Sequence, residues 1–129
     1  MVVVDTSAWI EWLIGSATAR RIEPHLPPPA EWVVPTIVQL ELAKWLTREV
    51  GEERADQVIA FTQVCQVVAL DTAIALAAAE AARVHKMATA DAIVFATARS
   101  QGASLLTCDA HFEVLPGVTL IDKGGRATA

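Results

Sequence analysis

Four acidic residues of the chain lie beside apolar segments, where a carboxylate with no compensating partner is costly to bury. Asp5 ends an apolar run at the start of the chain, and Glu41 lies within a helical pattern of apolar residues. Asp91 precedes a third apolar segment, and Asp109 follows a fourth. If the fold gathers these carboxylates, their repulsion requires a cation, and ligand sets made only of oxygen favour Mg²⁺ or Mn²⁺. The pattern therefore indicates metal-dependent hydrolysis of phosphodiesters.

The apolar segments also predict the elements that must position these acids. Short apolar runs predict β-strands at residues 2–4, 32–34, 66–70, 103–107 and 118–121. Helical spacing of apolar residues predicts a helix after Asp5 and further helices at residues 17–24, 36–48, 52–64, 72–86 and 90–101. Asp71 and Thr89 are the predicted N-caps of the last two helices, and Gly102 is predicted to end the second of them.

Strands that alternate with helices predict an α/β fold, in which a parallel sheet carries helices on both faces. Ligands of such sheets bind beyond the carboxyl ends of the strands. Asp5 and Asp109 come directly after predicted strands, and Asp91 opens a helix that short connections place at the same edge. Glu41 lies about one turn into its helix, so we expect its side chain to lean over this edge as well.

Composition limits the class of protein. The 129 residues suffice for one domain with a full core, and an apolar content of 53% argues against disorder. No apolar run approaches the roughly 18 residues of a membrane span, and no signal peptide is visible, so we expect no membrane contact. Cys65 and Cys108 form no CxxC pattern, which predicts reduced, unreactive thiols and a cytoplasmic location. The three histidines lack the paired spacing of a zinc site and are predicted to be surface or packing residues.

The net charge of −5 argues against broad electrostatic attraction to nucleic acid. Two divalent ions would neutralise four carboxylates, however, and the site would then attract phosphate instead of repelling it. The basic residues are scattered along the chain, and we expect most of them to be solvated and a few beside the site to hold phosphates.

Four motifs, in order along nearly the whole chain, resemble those of PIN-domain ribonucleases, specifically the VapC-type toxins of bacterial toxin–antitoxin pairs. The motifs are residues 2–8 around Asp5, residues 40–42 around Glu41 with Trp45, residues 89–98 around Asp91, and residues 105–112 around Asp109 followed by 115–118. His111 departs from the family pattern, because many relatives carry another polar or acidic residue at that place. The resemblance implies a PIN-like α/β/α sandwich that forms a single nuclease domain over residues 1–123. Residues 124–129 are expected to be a mobile tail.

The resemblance also implies an activity, which is endonucleolytic cleavage of structured RNA with one or two Mg²⁺ or Mn²⁺ ions. We assign Asp5, Asp91 and Asp109 as metal ligands on this basis. Glu41 is assigned as a ligand that binds directly or through a water. The residues expected to orient these carboxylates are Thr6, Ser7 and Thr107.

The implied partners are a small antitoxin protein and a second copy of the chain in a homodimer. We expect an antitoxin tail to direct an Arg or Lys toward the carboxylates, because a guanidinium pairs well with clustered acids. The predicted surface for this tail is formed by the helices that bear Trp9, Trp12 and Trp45. The dimer contact is expected on the alanine-rich helix at residues 72–86 and its neighbour. Stacking of bases on Trp12 or Trp32 is an alternative role for the tryptophans.

Each acid also has an ordinary interpretation. Asp5 and Asp91 suit helix starts, Glu41 suits a solvated helix face and Asp109 suits a turn. Two other classes of protein also gather acids at strand ends, namely a non-catalytic, metal-binding signalling module of the receiver type and a phosphatase of the haloacid dehalogenase type. The first requires paired acids after the first strand, and the second requires an Asp-x-Asp motif. The segment Asp5-Thr6-Ser7 supplies neither.

Overall fold

A computed structural model describes residues 1–123 of the chain. Within them, five strands form one parallel sheet, and its order is β3-β2-β1-β4-β5. The strands are β1 (Val2–Val4), β2 (Trp32–Pro35), β3 (Gln66–Val68), β4 (Ser104–Thr107) and β5 (Val118–Leu120). The predicted α/β fold with a parallel sheet is confirmed. The predicted tail at residues 124–129 lies outside the described residues.

Helices connect the strands and cover the sheet. The α-helices of the described residues are α1 (Thr6–Leu13), α2 (Ala19–Ile22), α3 (Thr36–Glu49), α4 (Glu52–Thr62), α5 (Thr72–His85) and α6 (Thr89–Ser100). Short 3₁₀ turns lie at Glu23–His25, Pro29–Glu31 and Ala110–Phe112. The prediction of Thr89 as an N-cap is wrong by one residue, because Ala88 precedes α6 in an extended conformation and Thr89 is already helical. No helix within residues 1–123 is long and apolar enough to cross a membrane.

The strand order reverses next to β1, the central strand. The chain runs outward from β1 to β2 and β3 on one side, and β4 and β5 then add to the other side. Such a reversal opens a crevice beyond the carboxyl ends of the two strands where it occurs, here β1 and β4. The backbone N–H of Asp5 donates to the carbonyl oxygen of Leu106 at 2.8 Å, so the first acid leaves the sheet at this crevice.

The core explains why these short strands hold together. Val3, Val33 and Leu105, from β1, β2 and β4, are at most 1% exposed, as expected for parallel strands that helices cover. Four aromatic rings extend this core, and all their pairs but the tilted pair of Trp12 and Phe61 pack edge to face, with centroids 5.0 Å apart for one pair and 5.9 Å for another. These rings belong to Trp9, Trp12, Trp32 and Phe61.

The aromatic cluster corrects one prediction about the tryptophans, the stacking of bases on Trp32. Trp32 is 3% exposed and its indole N–H donates to the carbonyl oxygen of Pro27 at 2.6 Å, so its ring is not available for stacking on a base. Trp9 is completely buried, so its ring lies in the core and not on the outer surface of its helix. Trp12 and Trp45 keep partial exposure.

The two cysteines are free thiols. Burial raises the pKa of both the Cys65 and the Cys108 thiol to about 11. Both are therefore protonated at neutral pH and are poor nucleophiles, in agreement with the predicted lack of reactivity.

The N-cap of α5 gives a test of the local structure. The side chain of Asp71 accepts a hydrogen bond from the backbone N–H of Ile74 at 2.8 Å, as predicted. The substitution Asp71→Ala removes this acceptor and should lower the free energy of unfolding by about 1 kcal/mol, whereas Asp71→Asn should have little effect because Asn caps nearly as well. Urea unfolding of both variants checks this. Equal losses would show that the charge of Asp71, and not its hydrogen bond, stabilises the helix.

Candidate active site

Asp5 is a buried carboxylate at the carboxyl end of β1. Its residue is 6% exposed, and it occupies the N-cap position of α1 without a capping hydrogen bond from its side chain. Its Oδ2 instead accepts hydrogen bonds from the hydroxyls of Ser7 and Thr107, each at 2.8 Å. The ordinary interpretation as a helix cap therefore does not account for this side chain.

The two hydroxyls are themselves fixed in place. Ser7 Oγ and Thr107 Oγ1 lie 3.2 Å apart. Ser7 Oγ accepts the backbone N–H of Cys108 at 3.0 Å, and Thr107 Oγ1 accepts the backbone N–H of Asp109 at 2.9 Å. This network joins the first turn of α1 to the end of β4, and it holds Asp5 in one orientation.

Glu41 reaches the same region from the second turn of α3. The hydroxyl of Thr6, the first residue of α1, donates to Glu41 Oε1 at 2.7 Å. The Glu41 residue is half-buried, which does not fit a fully solvated helix face. Thr6 thus contacts one predicted carboxylate, while Ser7 and Thr107 contact another.

Asp91 and Asp109 form a second group together with His111. One side-chain ligand atom from each of these three residues lies within 4.8 Å of the other two. Asp91 lies in the first turn of α6, and Asp109 begins the 3₁₀ turn at Ala110–Phe112, where its Oδ1 accepts the backbone N–H of His111 at 2.9 Å. The side chains of Asp91 and Asp109 are 24% and 31% exposed, so both remain open to a ligand.

The pKa of Asp5 reflects its burial. Burial raises the pKa of this carboxyl to about 6. The hydrogen bonds from Ser7 and Thr107 oppose the increase, and the negative charge of Glu41 adds to it. The charged form of Asp5 is therefore unfavourable at this place even though two hydroxyls donate hydrogen bonds to it.

The pKa of Asp91 is also raised, first by burial and then by the charge of Asp109. Glu41 contributes to this increase as well, whereas His111 opposes it. Glu41 therefore acts on both Asp5 and Asp91, which places the four acids within one electrostatic group.

This group fits a divalent cation. Its four carboxylates offer hard oxygen ligands, and their mutual repulsion is the cost that a cation removes. The residues that would hold such an ion are Asp5, Glu41, Asp91 and Asp109. The structure brings these acids to one edge of the sheet together with Thr6, Ser7 and Thr107.

Two concave surfaces lie beside the acids. A groove of about 420 Å³ contains Glu41 and continues along α3; its lining residues are Thr6, Ile10, Ile37, Leu40, Glu41, Lys44, Trp45, Arg48 and Ala90. A second concave surface of about 280 Å³ is lined by Asp91 and His111 and by residues 85–88 at the end of α5. Sequence reasoning noted His111 only as a departure from the family pattern beside Asp109, and it did not connect Lys86 with the site. The only signal for His111 was its position two residues after Asp109.

Solved structures with the same fold include toxins and toxin–antitoxin complexes. The chain is similar to the toxin–antitoxin complex from Klebsiella pneumoniae, with a TM-score of 0.81 and 21% identity over 95% of this chain and 98% of the other. It is also similar to VapC20 of Mycobacterium tuberculosis, a toxin that cleaves the sarcin–ricin loop (TM-score 0.71, 25% identity, 92% and 97% of the chains). The chain is similar as well to DNA-bound VapBC from Salmonella typhimurium, with a TM-score of 0.67 and 22% identity over 92% of this chain and 95% of the other.

No curated protein matches the chain in sequence. The PIN domain family matches residues 2–118, a range that contains the four acids and the three hydroxyl residues that contact or lie beside them. This match confirms the resemblance of the motifs, and it agrees with the strand order and with the structural neighbours. The chain belongs to the PIN domain family.

Proposed function

We propose that the protein is a Mg²⁺- or Mn²⁺-dependent endoribonuclease of the VapC type, which hydrolyses phosphodiester bonds in structured RNA and is neutralised by a small antitoxin. The observation that carries the proposal is the gathering of four carboxylates, Asp5, Glu41, Asp91 and Asp109, into one electrostatic group at the edge of the sheet. The alternative of a non-catalytic receiver-type module is not compatible with the match to the PIN domain family.

In this proposal, Asp5, Asp91 and Asp109 would hold one or two divalent ions. Glu41 completes the site directly or through a water. Bound there, such ions would supply the chemistry that lowers the pKa of a water and stabilises negative charge on the phosphate and on the leaving oxygen. Hydrolysis would form a bond from the water oxygen to phosphorus and break the bond from phosphorus to the leaving oxygen, which would take up the proton that the water releases.

The hydroxyl residues of the chain fix the ligands before substrate binds. Ser7 and Thr107 donate to Oδ2 of Asp5, and Thr6 donates to Oε1 of Glu41. The other oxygen of each carboxylate is the proposed ligand atom. Carboxylates held in this way need no rearrangement during the reaction, which is the usual contribution of groups that support metal ligands.

RNA is supported as the substrate by the resemblance of the four motifs and by the similarity to VapC20, a toxin that cleaves the sarcin–ricin loop. The basic residues also suit a charged polymer. Lys44 and Arg48 lie in the groove beside Glu41, and Lys86 lies in the cavity beside Asp91. Cations on both sides of the acids are well placed to hold the phosphates that flank the cleaved bond, in spite of the overall charge of −5.

The groove along α3 is the proposed antitoxin surface. Ile37, Leu40 and Trp45 give it an apolar floor, and Leu40 is 57% exposed. Glu41 lies toward one end, and Arg48 lies two turns further along the helix. A complementary peptide would therefore place a basic residue at the carboxylates, apolar residues in the middle and an acidic residue at Arg48. The basic residue would replace the charge of the metal and block RNA.

We place the homodimer contact on α5 and α6. Leu76 and Val84 of α5 are 68% and 52% exposed. An apolar cavity of about 290 Å³ lies between the two helices, and its lining residues are Leu70, Ala75, Ala78, Ala79, Ala82, Thr89, Ala92 and Ile93. Exposed apolar residues beside such a cavity are typical of a surface that a second protein covers.

We also place the protein in the cytoplasm, where free thiols stay reduced.

The first prediction of this proposal concerns activity. Asp91→Asn removes one proposed ligand charge and should lower the rate of RNA cleavage by roughly 100-fold or more. The matched control is Asp71→Asn, which also removes an aspartate charge at a helix start and should retain activity. Mapping of new 5′ ends in total RNA, with Mg²⁺ or Mn²⁺ and with excess chelator, measures the cleavage. Full activity in chelator, or an inactive Asp71→Asn beside an active Asp91→Asn, would contradict the assignment.

The second prediction concerns stability without metal. The folded-state pKa of Asp5 is about 6 against an ordinary value of 3.8, so the folded protein holds this proton more tightly. Its stability in chelator should therefore decrease as the pH rises from about 4 to about 6, a difference of roughly 3 kcal/mol. Asp5→Asn abolishes this loss and keeps an acceptor for Ser7 and Thr107. The variant should unfold at higher urea than wild type at pH 7 but not at pH 4.

The control for this measurement is again Asp71→Asn, which should shift the urea midpoint equally at both pH values. If Asp5→Asn were less stable than wild type at pH 7, burial of the Asp5 charge would not be a cost, and the argument for a cation would lose its basis.

The third prediction separates the two partner surfaces. Leu40→Glu places a charge in the groove of α3, and Leu76→Glu places the same charge on the exposed side of α5. Both side chains are more than half exposed, so both variants should fold. Leu40→Glu should lose the antitoxin but remain a homodimer, whereas Leu76→Glu should become monomeric but keep the antitoxin. Co-expression with the product of the neighbouring gene, followed by size-exclusion chromatography with light scattering, measures both. If Leu40→Glu became monomeric and Leu76→Glu lost the antitoxin, the dimer contact would lie in the groove of α3 and the antitoxin surface on α5.

A further inference from the structure

His111 is held beside the acids by its own turn. The turn Ala110–Phe112 begins at Asp109, whose Oδ1 accepts the backbone N–H of His111 at 2.9 Å. Phe112 follows with no exposed surface and anchors the turn in the core. The position of His111 is therefore set by the backbone, although its side chain is 80% exposed.

The imidazole faces two of the four carboxylates. His111 Nδ1 lies 3.2 Å from Asp109 Oδ1 and 3.7 Å from Asp91 Oδ2. One ligand atom from each of the three residues lies within 4.8 Å of the other two. Atoms bound to one divalent ion at roughly 2.0–2.2 Å lie at most about 4.4 Å apart, so a small closure of these side chains would complete a coordination sphere.

We infer that His111 is a nitrogen ligand of a divalent ion shared with Asp91 and Asp109, and that it gives this site a preference for Mn²⁺ over Mg²⁺. The inference rests on the proposed function in that it takes the two aspartates as metal ligands. It adds a ligand that is neither a carboxylate nor part of the four-acid set.

The preference follows from the chemistry of the donor atom. Mg²⁺ binds oxygen almost exclusively. Mn²⁺ also favours oxygen, but as a first-row transition ion it accepts an imidazole nitrogen more readily than Mg²⁺ does. A neutral imidazole can bind through Nδ1 only if Nε2 carries the proton. The exposure of His111 leaves Nε2 to water, which is compatible with that tautomer.

The test compares metal binding by the full chain and three variants. His111→Gln removes the imidazole and keeps a polar side chain, and His111→Asp replaces it with a carboxylate. His85→Gln is the matched control, because His85 lines the same cavity and its ring packs against Phe95 at 5.7 Å. Calorimetric titrations with MnCl₂ and MgCl₂ give the two affinities, and pulsed electron paramagnetic resonance of bound Mn²⁺ detects a directly coordinated ¹⁴N.

For the wild-type chain and His85→Gln, we expect a ¹⁴N coupling to Mn²⁺. In His111→Gln this coupling should vanish, and the affinity for Mn²⁺ should decrease by roughly tenfold or more while that for Mg²⁺ changes little. His111→Asp should shift the preference toward Mg²⁺. A wild-type chain that binds no Mn²⁺, or shows no ¹⁴N coupling, overturns the inference. So does a coupling that persists in His111→Gln, or an unchanged ratio of the two affinities.

Cleavage of RNA by the same samples separates this inference from the proposed function. If His111 supplies the ¹⁴N coupling but neither metal supports cleavage, the ligand assignment stands and the nuclease proposal fails. If the wild-type chain cleaves RNA and His111→Gln binds both metals as wild type does, the nuclease proposal stands and the ligand assignment fails.

Discussion

The carboxylate of Asp5 is buried where two parallel strands meet, and two hydroxyls from distant parts of the chain hold it there. Ser7 lies on the helix that follows β1, and Thr107 ends β4. The β1–β4 pairing fixes the distance between these groups, because Val4 pairs with Leu106. The position of Asp109 depends on the same network, since Thr107 also accepts the Asp109 backbone N–H. Sheet pairing, crevice and acid group are therefore parts of one arrangement.

The same arrangement makes the protein less stable than its core would allow. Raised pKa values of Asp5 and Asp91 mean that the folded state disfavours their charged forms. A free-energy cost of this kind is common at functional sites, and it persists because the rest of the structure is stable enough to offset it. Here the surroundings are the buried strands and the aromatic cluster of α1, β2 and α4.

Much of the fold could be predicted from the sequence, because strands and helices alternate with clear local signals. The valines of β1 and the capping residue Asp71 are examples, and the strand-end positions of Asp5 and Asp109 followed from them. Features that depend on distant neighbours could not be predicted. The burial of Trp9 and Trp32 results from packing between elements, and the bond from Thr6 to Glu41 joins two helices.

The contact of His111 with Asp91 could not be predicted from the sequence either, because it joins the turn after β4 to the start of α6. The shift of the α6 cap from Thr89 to Ala88 is a different kind of error. It concerns one residue at a helix boundary, where the local signals of Ala88 and Thr89 are weak.

The pairing of β1 with β4 also governs when the site can exist. A ribosome delivers the chain from its N-terminus, and Asp5 emerges long before Thr107 and Asp109 have been added. At roughly 5–20 residues per second, this interval is on the order of 5–20 seconds. During it, β1 lacks its β4 neighbour and the first carboxylate has only part of its support. A nascent chain that has not yet reached Thr107 therefore lacks the assembled acid group, and the group can form only after the segment of β4 has been added.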